Sequence, residues 1–363
     1  MAHRRAVLSP LLLAPVLLVS LNSGGGSLQR PQERAPELDA FRERSGPYLG
    51  EAPPGLEPVI FAPGVVSTGR SEGSIVFGPD GRSMVFQRYG APDNMIFVTR
   101  EVAARWRIPE VAPPFARRYR YDGDFSLSPD GTRLFFTSRR LLDGEGEQDD
   151  DSGNIWVAEW RGDEWSTAAP LPPPVRTADH EGYPSLMADG TLYFFGRGRP
   201  SEGLADLFRS RWNGRTWEEP ESLGPPFNTP ANEWDPYVAP DGRYLLFASM
   251  RPGGLGEDDF YVAFRREDGS WTEPVNMGEG VNSPYSENRP FVTLDGRYFF
   301  FTSNRPVTGP GLQELEPHMR PGNGSRDIYW VDTRLIEGLR PPSPSPEEVR
   351  GTAEYGSLCD HSR

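Results

Sequence analysis

One pattern of hydrophobic and polar positions recurs five times along the chain. In each copy a short strand-like run ends at an Asp-Gly pair, and a second hydrophobic run follows at once. Asp-Gly between two such runs predicts a β-hairpin, because glycine adopts the positive φ that the turn requires. The turn aspartates are Asp80, Asp130, Asp189, Asp241 and Asp295.

Each copy also carries two further strand-like segments. In the fourth copy these read DDFYVAFRR and SWTEPVNMG, and a second turn at Asp268-Gly269 separates them. Four antiparallel strands per copy, with turn aspartates separated by 50, 59, 52 and 54 residues, predict an all-β fold: a five-bladed β-propeller. Six blades stay an alternative, although no sixth Asp-Gly copy is visible.

The fifth copy lacks its outer strand, and the start of the ordered chain supplies a matching segment. Residues 57–68 read EPVIFAPGVVST, and residues 273–284, at the end of the fourth copy, read EPVNMGEGVNSP. We therefore expect the N-terminal strand to be the fourth strand of the last blade. This arrangement closes the ring and removes two unpaired strand edges.

The sequence outside the repeats predicts three further regions. Residues 1–23 resemble a signal peptide, with Arg4 and Arg5 before an apolar stretch, and a retained membrane anchor is the alternative. Residues 24–54 are predicted to be a flexible leader, 55–339 the propeller domain and 340–363 a disordered tail. An exported protein is expected in the periplasm or outside the cell.

The charge and composition of the chain argue against some classes of binding partner. The formal net charge of −14 argues against nucleic acid and against an anionic membrane surface as the main partner. The single cysteine, Cys359, cannot form an internal disulfide. The acidic run at 143–151 is interpreted as a solvated loop rather than a calcium site, and we expect a monomer with no metal, no cofactor and no stable membrane span.

The repeats carry a family resemblance. Segments such as SPDGTRLFFTSRR, and APDGRYLLFASMRPGG followed by DDFYVAFRREDGSWTEPVNMG, resemble the WD-repeat-like propeller repeat of TolB-type exported bacterial proteins. The resemblance covers about residues 57–335 and implies a propeller fold. The chain departs from TolB in lacking a recognisable α/β domain before the propeller.

An acid and an arginine recur at fixed distances from each turn. The acid lies eight residues before the turn aspartate: Glu72, Asp122, Glu181, Glu233 and Glu287. The arginine lies nine residues after the turn glycine, at Arg140, Arg199, Arg251 and Arg305, whereas the first copy has Gly90. In one interpretation each acid pairs with an arginine and locks neighbouring blades together. In the other, the two sets form a charged ring that binds a polar ligand at one mouth of the channel.

Aromatic residues also recur once per blade and are predicted to pack within and between blades: Trp106, Trp165, Trp217 and Trp271, and Phe86, Phe136, Phe195, Phe247 and Phe301. The insertion at 307–326, with His318, is the candidate element for specificity.

The sequence contains no zinc-ligand spacing, and no catalytic residue is assigned. The function expected is therefore non-catalytic binding of a protein partner, a glycan or a small polar ligand at one mouth. A scaffold for an envelope complex is a second possibility of the same kind. The alternative is a hydrolase or lyase that acts on polysaccharide or peptide through acids at the channel mouth.

Overall fold

The computed structural model describes residues 39–342, apart from 91–94, 113–114, 116–120, 143–145, 147–151, 163, 201 and 308–310. The predicted signal peptide, almost all of the acidic run at 143–151, and Cys359 lie outside the described residues.

Five antiparallel sheets make up the described chain, and each is one blade. Blade 1 contains β2 (Ser71–Phe77), β3 (Ser83–Tyr89), β4 (Met95–Val102), β5 (Arg105–Trp106) and β6 (Glu110–Val111). Blade 2 contains β7 (Asp122–Leu127), β8 (Arg133–Ser138), β9 (Asn154–Glu159) and β10 (Ala169–Pro170). Blade 3 contains β11 (Glu181–Leu186), β12 (Leu192–Gly196), β13 (Asp206–Ser210) and β14 (Glu221–Ser222). Blade 4 contains β15 (Glu233–Val238), β16 (Tyr244–Ser249), β17 (Asp259–Phe264) and β18 (Val275–Asn276).

Blade 5 combines β19 (Glu287–Val292), β20 (Tyr298–Ser303) and β21 (Asp327–Asp332) with β1 (Val59–Ile60) from the start of the chain. In the register of this pair Val59 lies opposite Trp330, and Ile60 lies opposite Tyr329. The predicted closure of the ring by an N-terminal strand is therefore confirmed.

The first strands of the blades surround a central axis. Each contacts the first strand of the next blade, in the order β2, β7, β11, β15, β19 and back to β2. The five-bladed propeller is confirmed, and the described chain contains no sheet for a sixth blade.

The Asp-Gly turns have the backbone that the sequence predicts. Asp80 Oδ1 accepts a hydrogen bond from the Arg82 N–H at 2.9 Å, and Asp241 does the same for Arg243 at 3.1 Å. Gly81 at the first turn has φ 67°, a left-handed conformation that disfavours residues with a Cβ atom. All five turns lie at one end of the ring, which we name the turn end; the opposite end, where the first strands begin with the recurrent acids, is the acid end.

Aromatic side chains fill the space within and between blades. The five recurrent phenylalanines are all buried, and so are Trp106 and Trp217, whereas Trp165 and Trp271 are half-buried. Phe260 of blade 4 lies edge-on to Phe301 of blade 5, with centroids 5.9 Å apart. These contacts agree with the packing role expected of the recurrent aromatics.

The N-terminal segment departs from the prediction. Residues 39–54, assigned from the sequence to a flexible leader, pack on blades 1 and 5 through the buried Phe41, Tyr48 and Leu49. Phe41 stacks on Phe86 at 5.9 Å, and the Tyr48 ring lies 5.1 Å from Phe77. A few large apolar residues thus anchor a segment whose overall composition is typical of disorder.

Tyr48 joins the two blades at which the ring closes. Its ring lies 5.1 Å from Phe77 of blade 1 and 5.1 Å from Tyr298 of blade 5. Its backbone N–H donates to the Gly81 carbonyl at 2.8 Å, and its hydroxyl donates to Asp295 at 3.2 Å. We name residues 39–54 the N-terminal strap.

The helices in the described part of the chain are few and short. There, 3₁₀-helices span Ala40–Glu43, Pro47–Gly50, Leu312–Glu314 and Pro317–Met319, and an α-helix spans Arg334–Gly338. Among the described residues, none of these helices has the length or the apolar content needed to span a membrane.

We expect Tyr48→Ala to lower the free energy of unfolding by about 3–5 kcal/mol, since it removes a buried aromatic ring between two blades. Tyr48→Phe keeps the ring and removes only the hydrogen bond to Asp295, so a loss of about 1 kcal/mol is expected. Urea unfolding followed by tryptophan fluorescence measures both values. Equal stability of Tyr48→Ala and wild type would show that the strap contributes nothing to closure.

Candidate binding site

The five recurrent acids are buried, and each pairs with an arginine of its own blade. The N–O distances are 3.4 Å for Glu72–Arg88, 2.5 Å for Asp122–Arg140, 3.4 Å for Glu181–Arg199, 3.4 Å for Glu233–Arg251 and 3.0 Å for Glu287–Arg305. Each acid of the candidate ring therefore already has an arginine as its partner.

In blades 1, 3, 4 and 5 further hydrogen bonds tie the pair to the connection that enters the blade. Glu233 accepts from the Thr229 N–H at 2.9 Å, the Thr229 hydroxyl at 2.7 Å and the Ser249 hydroxyl at 2.8 Å. Arg251 donates to the carbonyls of Pro226 and Phe227, which lie between blades 3 and 4. This geometry favours the interpretation in which the recurrent acids and arginines lock neighbouring blades together.

Blade 1 also has its arginine, at a position that the repeat alignment did not identify. Arg88 lies directly opposite Glu72 in the β2–β3 pair, where blades 4 and 5 carry Ser249 and Ser303. It donates to the carbonyls of Val65 and Val66, as its counterparts do in other blades. The fixed spacing of the other arginines leads to Gly90 in the first copy, whereas the arginine of blade 1 lies two residues earlier in the sequence.

A second set of buried polar residues begins the third strand of four blades and was also missed: Asn154, Asp206, Asp259 and Asp327. The aspartates cap the preceding loops: Asp206 accepts from the Gly203 N–H at 2.8 Å and Asp327 from the Gly322 N–H at 2.7 Å. Aligning the third strands, which read NIWVAE, DLFRS, DFYVAF and DIYWVD, would have revealed this position.

Burial raises the pKa of Glu181, and its effect on the pKa of two other acids in these sets, Glu72 and Asp327, is larger. The pKa of Glu72 rises to about 8 because it is buried, against the opposing effect of Arg88. Burial also raises the pKa of Asp327 to about 7, and only the hydrogen bond from Gly322 acts in the other direction. Both groups therefore hold a proton more strongly in the folded protein than in the unfolded chain.

The positions two residues after the recurrent acids differ from blade to blade. These residues, which we name the channel ring, are Ser74, Asp124, Tyr183, Asp235 and Arg289. Each lies where the register between the first two strands shifts, and all but Ser74 have φ between 50° and 59°. A left-handed backbone at a non-glycine residue costs free energy and is found preferentially at functional sites.

Contacts between blades that are not neighbours place the channel ring at the axis. Arg289 Nε of blade 5 lies 3.8 Å from Asp124 Oδ1 of blade 2. The Tyr183 hydroxyl of blade 3 donates to the Pro290 carbonyl of blade 5 at 3.4 Å. Asp235 accepts from the Arg289 N–H at 3.0 Å, so charged groups from three blades meet at one point.

Two tyrosines form hydrogen bonds with groups of this charged centre. Tyr89 accepts a hydrogen bond from Arg289 Nη2 at 3.0 Å, and the Tyr121 hydroxyl donates to Asp124 at 2.6 Å. Burial raises the pKa of Asp235 to about 7, and the charge of Asp124 raises it further. The centre therefore contains one carboxyl group that titrates near neutral pH.

The half of the channel toward the turn end is apolar and narrow. Its walls include Phe125, Leu186, Tyr237 and Val292, and its cavity of about 20 Å³ holds about one water molecule. The charged groups of the channel ring thus lie on the acid-end side of this apolar cavity.

Exposed apolar side chains lie on the loops of the acid end. Because the second strands end there, the loops that follow them lie there too, and so does the connection before β19. These loops carry the residues that we name the apolar rim: Leu141, Leu142, Leu204, Met250, Leu255 and Tyr285. Leu204 is the most exposed, at 80 %.

The insertion at 307–326 lies beside the connection between blades 5 and 1. The His318 carbonyl accepts a hydrogen bond from the Gly69 N–H at 3.1 Å, and the His318 side chain is exposed. His318 therefore stays a candidate for binding a ligand, at a place separate from the channel ring. Within the described ranges no three His, Cys, Asp or Glu side chains are placed to hold a metal ion.

The similarity of this chain to known proteins is a similarity of fold. No protein-family model matches the chain, and no curated protein is significantly similar to it. Among solved structures, a TolB candidate from Agrobacterium tumefaciens is 17% identical, covering 64% of this chain and 70% of its own, with a TM-score of 0.43. TolB from Acinetobacter baumannii is 11% identical, covering 72% of this chain and 57% of its own, with a TM-score of 0.41.

An α-L-arabinofuranosidase from Lactobacillus brevis is also similar, at 11% identity and a TM-score of 0.46, covering 77% of this chain and 96% of its own. At such identities and TM-scores the similarity extends to the propeller fold and to nothing more.

We expect the free energy of unfolding to fall as the pH rises from about 5 to 7, and Asp327→Asn to reduce this slope. The folded protein retains a proton on Asp327 up to about pH 7, whereas the unfolded chain releases it near pH 4, so each added pH unit costs up to about 1.4 kcal/mol. Urea unfolding at several pH values measures the slope.

Blade 2 already carries Asn154 at this position, so the substitution is expected to fit. Glu72 and Asp235 act in the same direction, and the slope should therefore decrease without vanishing. Parallel profiles of wild type and variant between pH 5 and 7 would contradict the assignment to Asp327.

Proposed function

We propose that this protein is a non-catalytic binding propeller that takes a protein partner at the acid end of its ring. The observation that carries the proposal is the arrangement of that end, where the apolar rim, on loops of blades 2, 3 and 4 and before β19, lies at the same end as the charged channel ring. Apolar contacts around a polar centre are typical of protein interfaces, in which the apolar part provides affinity and the polar groups provide specificity.

The residues that recur in every blade support a structural role for the remainder of the acid end. The recurrent acids are paired with arginines and accept further hydrogen bonds, so they offer a ligand no free carboxylate. The side chains of the channel ring and of the loops differ between blades. They are therefore the side chains available to recognise a partner.

Export to the periplasm or the cell exterior through residues 1–23 is part of the same proposal. A partner in that compartment would meet the acid end directly. A glycan is the alternative ligand: the hydroxyl and carboxyl groups of Tyr89, Tyr121, Asp124 and Asp235 are of the kind that bind sugar hydroxyls, but the exposed leucines of the rim favour a protein surface.

A second candidate function, hydrolysis of a polysaccharide, is favoured by one observation. Asp235, with its pKa of about 7, is suited to act as a general acid, while Asp124 is held beside the Arg289 guanidinium. Glycosidases use such a pair of carboxyl groups in unequal environments. The same two residues would then act on a bound sugar rather than hold a partner.

The double variant Leu204→Asp/Leu255→Asp should bind a protein partner at least ten-fold more weakly, because two rim side chains would bring charge into an apolar contact. The measurement is capture by the immobilised mature protein from an envelope extract, followed by titration of each captured protein in purified form. Leu56→Asp, an exposed leucine away from the acid end, is the matched control. Equal affinity of all three proteins would refute binding through the rim, and retention on a glycan array alone would favour the sugar ligand.

If the second candidate is right, the wild-type protein releases reducing ends from at least one polysaccharide, and Asp235→Asn lowers that rate by about 10²–10⁴-fold. Asp241→Asn, which changes an exposed aspartate at the turn end, should leave the rate unchanged. Absence of turnover by the wild type on a panel of neutral and acidic polysaccharides would remove this candidate.

A further inference from the structure

We propose that the Asp327 carboxyl makes closure of the ring pH-dependent, because the closing strand β1 covers this carboxyl without offering it a partner. Blade 4, whose four strands follow one another in the chain, shows what blade 5 lacks. Blade 5 would have this property whether or not the acid end binds a partner.

In blade 4 the outer strand supplies a partner for the aspartate that begins the third strand. Asn276 Nδ2 of β18 donates to Asp259 Oδ2 at 2.9 Å, and Asn282 Nδ2 donates to Asn276 Oδ1 at 2.9 Å. The Leu255 and Gly256 N–H groups also donate to Asp259, at 2.5 and 3.2 Å. Three donors from two segments therefore satisfy this carboxylate.

In blade 5 the outer strand comes from the start of the chain and carries no such donor. Ile60 of β1 lies opposite Tyr329, as Asn276 of β18 lies opposite Tyr261. Directly opposite residues of an antiparallel pair share a face, and so do residues two apart in one strand. Ile60 is therefore on the same face as Asp327, in the place from which the asparagine of blade 4 reaches its aspartate.

The connection after β1 does not replace the missing donor. In the alignment of the two outer segments, Val66 stands where blade 4 has Asn282. The next side chain, Ser67, donates to the Ile328 carbonyl at 3.2 Å and accepts from the Ile328 N–H at 3.1 Å. The Ser67 hydroxyl is thus engaged with the backbone of β21, and not with Asp327.

Asp327 is consequently buried with a single donor. Its Oδ2 atom accepts from the Gly322 N–H at 2.7 Å, whereas Oδ1 has no hydrogen-bond partner among the described residues. Removing an ionised carboxylate from water without compensating partners is costly. Ionisation of Asp327 therefore favours states in which Ile60 has moved away and water has taken its place.

The charged groups around Asp327 do not offset this cost. Arg305 is paired with Glu287 at 3.0 Å, and Ser303, opposite Asp327 in β20, donates to Glu287 at 2.6 Å. Glu72 of blade 1 is a further acid, whose pKa the charge of Asp327 raises. Burial accordingly raises the pKa of Asp327 to about 7.

The direction of the pH effect follows from this shift in pKa. In the closed ring Asp327 keeps its proton up to about pH 7, whereas a carboxyl group reached by water releases it near pH 4. The contribution of Asp327 to closure is therefore complete below about pH 4 and is lost as the pH rises to about 7. Above that pH it changes no further, because both states are ionised.

The test is hydrogen exchange of the full mature chain at pH 5, 6, 7 and 8, with each rate divided by the intrinsic rate at that pH. Phe61 reports on β1, since its N–H donates to the Ile328 carbonyl at 2.8 Å. Met277, whose N–H donates to the Phe260 carbonyl at 3.0 Å, is the equivalent amide of blade 4. The opening constant at Phe61 should exceed that at Met277 at each pH, rise at least about ten-fold from pH 5 to 7, and stay level to pH 8.

Two variants should remove this response by different routes. Asp327→Asn has no group to ionise, and Ile60→Asn restores the donor that Asn276 provides in blade 4, so in both the rise at Phe61 should fall below about three-fold. Asp259→Asn, the matched change in blade 4, should keep the wild-type response at Phe61. The readout is the change with pH, so a general loss of packing in Ile60→Asn would not imitate the expected result.

Two results would overturn the proposal. A pH response that Asp327→Asn leaves unchanged would assign the effect to another group, such as Glu72. Equal opening constants at Phe61 and Met277 at every pH would show that β1 opens only when the whole ring unfolds. Neither result bears on partner binding, which the rim variant Leu204→Asp/Leu255→Asp tests separately.

Discussion

The buried pair of arginine and carboxylate at the start of each blade is the interaction on which the ring depends. Moving two charges out of water costs several kcal/mol per ion, and the cost is offset only where every remaining donor and acceptor is bonded. Here hydroxyls, backbone N–H groups and carbonyls of the incoming connection complete the bonding, as Glu233 and Arg251 show. The pair thereby fixes the position of one blade against the next with a directional contact that apolar packing alone does not provide.

Residues that recur in every blade and residues that differ between blades have different roles in this protein. What is the same in all blades, such as the turn aspartate and the recurrent acid, builds the ring. What differs lies at the axis and on the loops, where Asp124, Asp235 and Arg289 stand in equivalent places on different blades. The backbone at these places is equally constrained, as its positive φ shows, so the fold presents five side chains at one point and leaves their chemistry open.

The fold was predictable from the sequence because hairpin turns and strand patterns are local signals that five copies repeat. Pairing of Val59 with Trp330 was predictable as well, since the two ends of the chain resemble the two parts of one blade. The strap was not, because Phe41 and Tyr48 are isolated apolar residues in a polar segment and their partners lie far away in sequence. The channel ring was also missed: its members share a position and no residue type, so only the geometry of non-neighbouring blades brings them together.

Closure by β1 imposes an order on assembly. Ile60 finds its partner Tyr329 only after about 270 further residues, a separation that makes this contact slow to form. During synthesis β1 must therefore wait, unpaired, while four blades take shape behind it. The first strand of the described chain is the last to be used, and until it docks β21 is the outer edge of blade 5 and is open to other strands.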